Sequence, residues 1–220
     1  MFIVCAGRRG FTFIQASASA KLLSPMNLGI IILAAGQSSR LGEPKQLLDY
    51  SGQPLIRHMA QIAVDLDAGP VVVVVGAHAE AVTEALHDLP VRKLHNPDWQ
   101  TGMASSIKAG VALLAPTLPD GILILLTDQP HVNRALLEKL IDTARSTHKP
   151  IVASQYGDTL GVPILFRSAY FEALQQLSGD AGARVLVQQH IDDVASVPFE
   201  EGAVDLDTPE DVVKWKQGET

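Results

Sequence analysis

The sequence predicts an α/β fold built on a doubly wound, mainly parallel, Rossmann-like sheet, and three observations carry that prediction. Runs of aliphatic residues at Gly29 to Ala34, Val71 to Val75 and Ile122 to Leu126 lack polar alternation, as strands buried on both faces do. Between them lie segments whose apolar residues recur at helical spacing. Each run also stops at small or polar residues, Ala-Ala-Gly, Gly-Ala-His and Thr-Asp-Gln-Pro. Such loops open ligand crevices at the carboxyl ends of parallel strands.

Taken in order, Gly29 to Ala34 reads as the first strand, and Pro54 to Leu66 as a helix through Leu55, Ile56, Met59, Ile62, Ala63 and Leu66. The five valines Val71 to Val75 read only as a strand buried on both faces. Ala79 to Leu86 is a helix, Val91 to Leu94 a short strand and Met103 to Leu114 an amphipathic helix. Ile122 to Leu126 is the next buried strand, and Arg134 to Arg145 the helix after it. Ile151 to Ala153 and Val162 to Phe166 read as strands, Ala169 to Leu177 and Ala183 to His190 as helices, and Pro209 to Trp215 as a closing helix. This alternation implies right-handed crossovers. It makes neighbours of the loops at 34–45, 76–78 and 127–131, and so of the Ala34 loop and Asp128.

The 220 residues, 47% hydrophobic and 19% charged, suit one compact domain. A net charge of −7 and a pI near 5.4 exclude the basic footprint of a nucleic-acid binder. The single cysteine, Cys5, forms no internal disulfide and fits a reducing, cytoplasmic setting. No run approaches the roughly 18 apolar residues that a membrane-spanning helix needs. Residues 1–25 carry Arg8, Arg9 and Lys21 but no acid, and are expected to be an unstructured upstream extension of a single domain at 26–220. An export signal is the weaker reading, because Thr12, Gln15, Ser17 and Ser19 interrupt its apolar centre.

The most informative segment is GIIILAAGQSSRLGEPK, residues 29–45. Small residues after a buried strand let backbone N–H groups approach a ligand, while Arg40 and Lys45 add positive charge beside them. The loop is built for phosphate. Gly36 and Gly42 do not have the Walker A spacing, and the dinucleotide fingerprint GxGxxG is absent. The seven histidines show no HxxxH pairing.

The pattern LAAGxSxRxGxPK resembles the signature of the MobA-like nucleotidyltransferases, and the resemblance runs over nearly all of the chain beyond residue 28. It implies a Rossmann-like nucleotidyltransferase fold in which Leu33, Ala34, Ala35 and Gly36 bind a nucleoside triphosphate and Arg40 and Lys45 contact its phosphates. LLTDQP at 125–130 resembles the family's strand-end Asp-x-Pro, and DLDTPED at 205–211 its second acidic motif. By that resemblance Asp128 and Asp207 hold Mg²⁺. NPDWQTGMASSIKAG at 96–110 and GDAGAR at 179–184 look most like the CTP:molybdopterin cytidylyltransferase branch. That branch moves CMP from CTP to molybdopterin for enzymes of the molybdenum hydroxylase class, which makes a hydroxylase or its chaperone a candidate partner. The guanylyl branch typically has Leu-x-Gly-Gly where this chain has Ala35. The methylerythritol phosphate cytidylyltransferases share LAAG and PKQ, but their Asp-Ala-Ala-Arg-Pro motif does not match Thr127-Asp128-Gln129-Pro130.

Within this resemblance Ser106 lies near the base and ribose, and Gly179, Asp180 and Arg184 meet the anionic acceptor. Base choice is expected to rest on backbone groups around Ala34, Ala35, Gly76 and Ala77. The implied reaction needs no general base, since a phosphate monoester with a second pKa near 6 is already mostly dianionic at neutral pH. Positioning and charge neutralisation do the rest. Each assignment has a plainer competitor. Asp128 could cap the helix after Pro130, Thr208 or Asp207 could cap the last helix, Trp99 could be core, and Arg184 could pair with Asp180 or lie on a helix surface. Transfer of GMP, a sugar-phosphate acceptor, or a non-catalytic accessory role in hydroxylase maturation are the alternative functions.

Overall fold

A computed structural model describes residues 26–117 and 119–217. The proposed extension at 1–25 lies outside the described residues. Seven strands form one sheet: β1 (Leu28–Ala34), β4 (Val71–Val75), β5 (Arg92–His95), β6 (Gly121–Leu126), β7 (Ile151–Tyr156), β8 (Thr159–Arg167) and β9 (Val194–Pro198). Their spatial order is β5-β4-β1-β6-β8-β7-β9. All pairings are parallel except those of β8, which runs antiparallel to both β6 and β7. β1 therefore sits centrally, with its successor β4 on one side and β6 on the other. The order reverses there, which is the position where open α/β sheets bind ligands.

The alternation of side chains along the buried strands builds two cores. On one face Ile30, Ile32, Val73 and Leu125 pack with Met59 and Ala63 of α1 (Leu55–Asp65), Val82 of α2 (Ala79–Ala85), and Leu137 and Leu140 of α4 (Arg134–Thr147). On the other, Ile31, Val72, Val74 and Ile124 pack with Ile107 and Val111 of α3 (Met103–Leu114), Leu174 of α5 (Phe171–Gln175) and Val187 of α6 (Arg184–Gln189). Strands covered on both faces explain runs without polar alternation.

Two features went unread in the sequence. A small hairpin, β2 (Asp49–Tyr50) with β3 (Gln53–Pro54), turns at Ser51 and Gly52, both at positive φ, 51° and 87°. Edge strand β9 is only partly buried and ends in Pro198, so its pattern is weak. The hairpin helps form a third, smaller cluster of Leu41, Leu48, Leu55, Leu206 and Val212, flanked by Tyr50 and Trp215. Trp215 lies on the closing helix α7 (Pro209–Gln217), and its ring stacks on Tyr50 at 5.7 Å. This cluster ties the phosphate loop to the acidic segment around Asp207.

Candidate active site

The phosphate loop leaves β1 at Ala34 and folds back on itself, with Leu41 and Gly42 amides donating to the Ser38 carbonyl. Ser38 is at φ 57°, and its Oγ accepts from the Lys45 amide at 3.1 Å. Gln46, fully buried, then donates through Nε2 to the carbonyls of Ala34 (3.1 Å) and Gly36 (2.8 Å). That side chain holds the start of the loop against the short 3₁₀ turn Lys45–Leu47.

Opposite the loop, Thr127 at the end of β6 donates to the Leu33 carbonyl at 3.2 Å and closes the two strand ends together. Asp128 follows directly. Its backbone carbonyl accepts from the Leu206 amide at 3.3 Å, which brings the acidic segment beside it. Lys45 Nζ then donates to Asp128 Oδ2 at 2.6 Å and Asp207 Oδ1 at 3.0 Å. Arg40 Nη1 stands 3.6 Å from Asp207 Oδ2.

Both plainer roles for the aspartates fail on the hydrogen bonds. Asn133 caps α4 by accepting from the Leu136 amide at 3.0 Å, so Asp128 does not cap it. A capping box starts α7: Thr208 Oγ1 accepts from the Asp211 amide, and Asp211 Oδ2 accepts from the Thr208 amide at 2.9 Å. That leaves the Asp207 carboxylate free to face Lys45.

Charge at this point is concentrated. Burial works against the Lys45 ammonium, but the charges and hydrogen bonds of Asp128 and Asp207 outweigh it and raise its pKa above the ordinary lysine value. Asp205 is pushed up to about 6, first by desolvation of its inner side and then by the negative charges of Asp128 and Asp207.

The donor set fits a divalent cation. Asp128 and Asp207 converge on one ammonium, which marks a point that a cation occupies, and Asp128 Oδ1 is buried without a hydrogen-bond partner. Among the described residues no group of three or more His, Cys, Asp or Glu forms a metal cage. Two carboxylates, with substrate phosphates and water completing the shell, are the habit of Mg²⁺ rather than of an all-protein site.

A cleft of about 350 Å³ runs from this point, lined by Ala35, Gly36, Lys45, Trp99, Ser106 and Asp128, with Asp180 at its rim. Leu33 also lines it, while Ala34 is buried behind the loop. Trp99 is only partly buried and belongs to the wall, not the core. Gly76 lies behind it: a Cβ there would stand 2.8 Å from Trp99 Cβ and 2.7 Å from the Ala35 carbonyl oxygen. Gly76 is not among the cleft-lining residues, and that close approach leaves no room for a side chain there. Ser106, buried in the wall, accepts from Asn96 Nδ2 at 3.0 Å. Asn96 is oriented by the Asp98 amide, which donates to its Oδ1 at 3.0 Å. Ser105 also accepts from Asn96 but turns its own hydroxyl to backbone carbonyls of Asp98 and Gly102.

Gly179, at φ 60°, reaches the start of α3, where its carbonyl accepts from the Ala104 amide at 3.1 Å. Asp180 thereby reaches the cleft. Arg184 is exposed, is not among the cleft-lining residues, and makes no ion pair with Asp180 within 4.0 Å. Gln46 and Asn96 were missed in the sequence. The Lys-Gln dipeptide after Pro44 is a signal for the first, whereas a lone Asn in a loop gives none.

A parallel sheet with a phosphate-type loop at its reversal point, facing an acidic strand end, defines the class of Rossmann-like nucleotidyltransferase folds. The chain belongs to the MobA-like NTP transferase domain family, whose model matches residues 30–194. It is 32% identical over 197 residues to nicotine blue oxidoreductase of Paenarthrobacter nicotinovorans, covering 84% of this chain and 94% of that protein. Among solved structures, Rv0371c of Mycobacterium tuberculosis H37Rv superposes with a TM-score of 0.76 at 29% identity, over 87% of this chain and 98% of that one. The structure of Rv0371c in complex with manganese aligns with a TM-score of 0.72 at 27% identity, over 86% and 97% of the two chains. Among the described residues no helix is long and apolar enough to cross a membrane.

Proposed function

We propose that this chain is a divalent-metal-dependent cytidylyltransferase that moves CMP from CTP to molybdopterin, releasing pyrophosphate and forming molybdopterin cytosine dinucleotide. The observation that carries this reading is the meeting of Lys45 with Asp128 and Asp207 beside the cleft. The acceptor's phosphate oxygen attacks the α-phosphorus of CTP, and the bond to the pyrophosphate oxygen breaks in line. Arg40 and Lys45 hold the phosphate oxygens, the loop from Ala35 to Gly36 supplies backbone donors, and Asp180 borders the acceptor side. Asp128 and Asp207 would hold Mg²⁺, which supplies Lewis-acid neutralisation of phosphate charge when bound. Arg184 is exposed and does not line the cleft, so its acceptor role requires α6 or its own side chain to turn inward. The family supports nucleotidyl transfer; Ala35 on the cleft wall, where the guanylyl branch typically has glycine, supports CTP over GTP.

Pyrophosphate release measured with CTP and with GTP, each with and without molybdopterin, tests the assignment. Release from CTP that depends on molybdopterin is the expected result; turnover of GTP alone, or of a sugar phosphate alone, sinks it. A second reading, oxidoreductase activity, rests on the similarity to nicotine blue oxidoreductase of Paenarthrobacter nicotinovorans, against the absent GxGxxG fingerprint. Oxidation of a reduced nicotinamide cofactor by a preparation that releases no pyrophosphate would favour that reading.

A further inference from the structure

We propose that Lys45 is an internal counter-ion that competes with the divalent metal for Asp128 and Asp207, so that nucleotide and metal enter this site cooperatively. The inference rests on the reading of that carboxylate pair as the metal ligands. Lys45 Nζ lies 2.6 Å from one carboxylate and 3.0 Å from the other, with its side chain only 18% exposed. Those are the same two carboxylates that a divalent ion needs, with Asp128 Oδ1 the oxygen left unpartnered beside the ammonium. An ammonium held at that distance would face the ion as a like charge in a partly desolvated site, where screening is weak. The two cations exclude each other. Arg40 shows a looser form of the same arrangement, resting 3.6 Å from Asp207 on the solvent side.

The backbone of Lys45 is fixed, since its amide donates to Ser38 Oγ and the adjacent Gln46 is pinned to the loop carbonyls. Only the side chain is free to move. A triphosphate in the cleft offers it anionic oxygens, and its departure releases both carboxylates for the metal. Linkage then requires that the metal favour triphosphate binding by the same factor. Where it stands, the ammonium offsets the mutual repulsion of the two carboxylates.

The test uses the full chain with Mn²⁺ alone as the probe and no nucleotide, reading bound and free ion by electron paramagnetic resonance. Lys45→Met and Lys45→Gln are expected to bind Mn²⁺ about tenfold more tightly than wild type or more, while Lys45→Arg stays close to wild type. Thermal transitions confirm folding, and the glutamine variant retains a polar head where methionine is not tolerated. If both uncharged variants bind no tighter than wild type while Asp128→Asn loses the ion, competition is overturned and the metal site stands. If Asp128→Asn and Asp207→Asn keep wild-type affinity, the pair is not the metal site, and the underlying reading falls with the proposal.

Discussion

Replacing Gln46 with leucine removes the two hydrogen bonds that hold the start of the phosphate loop. The side chain is fully buried, and Nε2 reaches the carbonyls of Ala34 at 3.1 Å and Gly36 at 2.8 Å. Turned over, the amide would set oxygen against two carbonyl oxygens, so its orientation is fixed by its partners. Leucine is similar in size, which keeps the packing cost small. The two lost bonds are worth about 1 kcal/mol each, and the buried Ala34 carbonyl left without this donor adds about 1–2 kcal/mol. Against that, Gln46 Oε1 is itself buried without a partner, and its removal offsets about 1 kcal/mol. The net destabilisation is about 2–3 kcal/mol, or roughly 4–12 °C in Tm for a chain of this size. Urea unfolding reads the stability, and isothermal titration with CTP reads the loop, with affinity expected to fall about tenfold as the backbone donors lose their frame. Stability within about 0.5 kcal/mol of wild type, together with unchanged affinity, would refute the role given to Gln46.

Asp128→Asn is expected to cut pyrophosphate release by about a hundredfold or more while the protein still melts cooperatively, checked by turnover with CTP and by calorimetry. Gly102→Ala is expected to destabilise by about 2–4 kcal/mol, because φ there is 111° and a Cβ would stand 2.2 Å from the Gly179 carbonyl oxygen. Thermal melting checks it. Alkaline stability is expected to draw on Tyr170: burial, then its 2.6 Å hydrogen bond to Asp193, raises its pKa from 10.0 to about 12. A raised folded-state pKa makes that contribution complete below pH 10 and lost as pH climbs toward 12. Wild type should therefore lose stability across that window more steeply than Tyr170→Phe in denaturant titrations at matched ionic strength.

The element order was legible because burial on both faces writes itself into local sequence. The runs at Val71 to Val75 and Ile122 to Leu126 carry no polar residue, and helical spacing fills the intervals. The same locality hid β9, which is half exposed, and the antiparallel direction of β8, because strand direction is not a property of composition. The motif and strand-end position singled out the Ala-Ala-Gly loop, Lys45, Asp128 and Ser106, and the structure sets Ala35, Gly36, Lys45, Asp128 and Ser106 around one cleft. The capping assignments were not legible, since Asn133 and Asp128 offer the same chemistry near one helix start. Only the formed box of Thr208 and Asp211 shows that Asp207 is spare.

The sequence by itself determined that one strand ends in a phosphate-type loop, another at Thr127-Asp128, and that a second acidic segment precedes the last helix, since each is a local pattern of residue types. It also determined the family, through the spacing of those patterns. The tertiary structure alone decided who meets whom. Lys45 reaches Asp128 across 83 residues and Asp207 across 162. Those contacts follow from the pairing of β1 with β6 and from the Leu41, Leu48 and Leu206 cluster that folds the last segment onto the loop. Long-range packing sets them, and no window of sequence contains both partners. The lysine read as a phosphate ligand is, in the folded chain, first the partner of the carboxylates that face it.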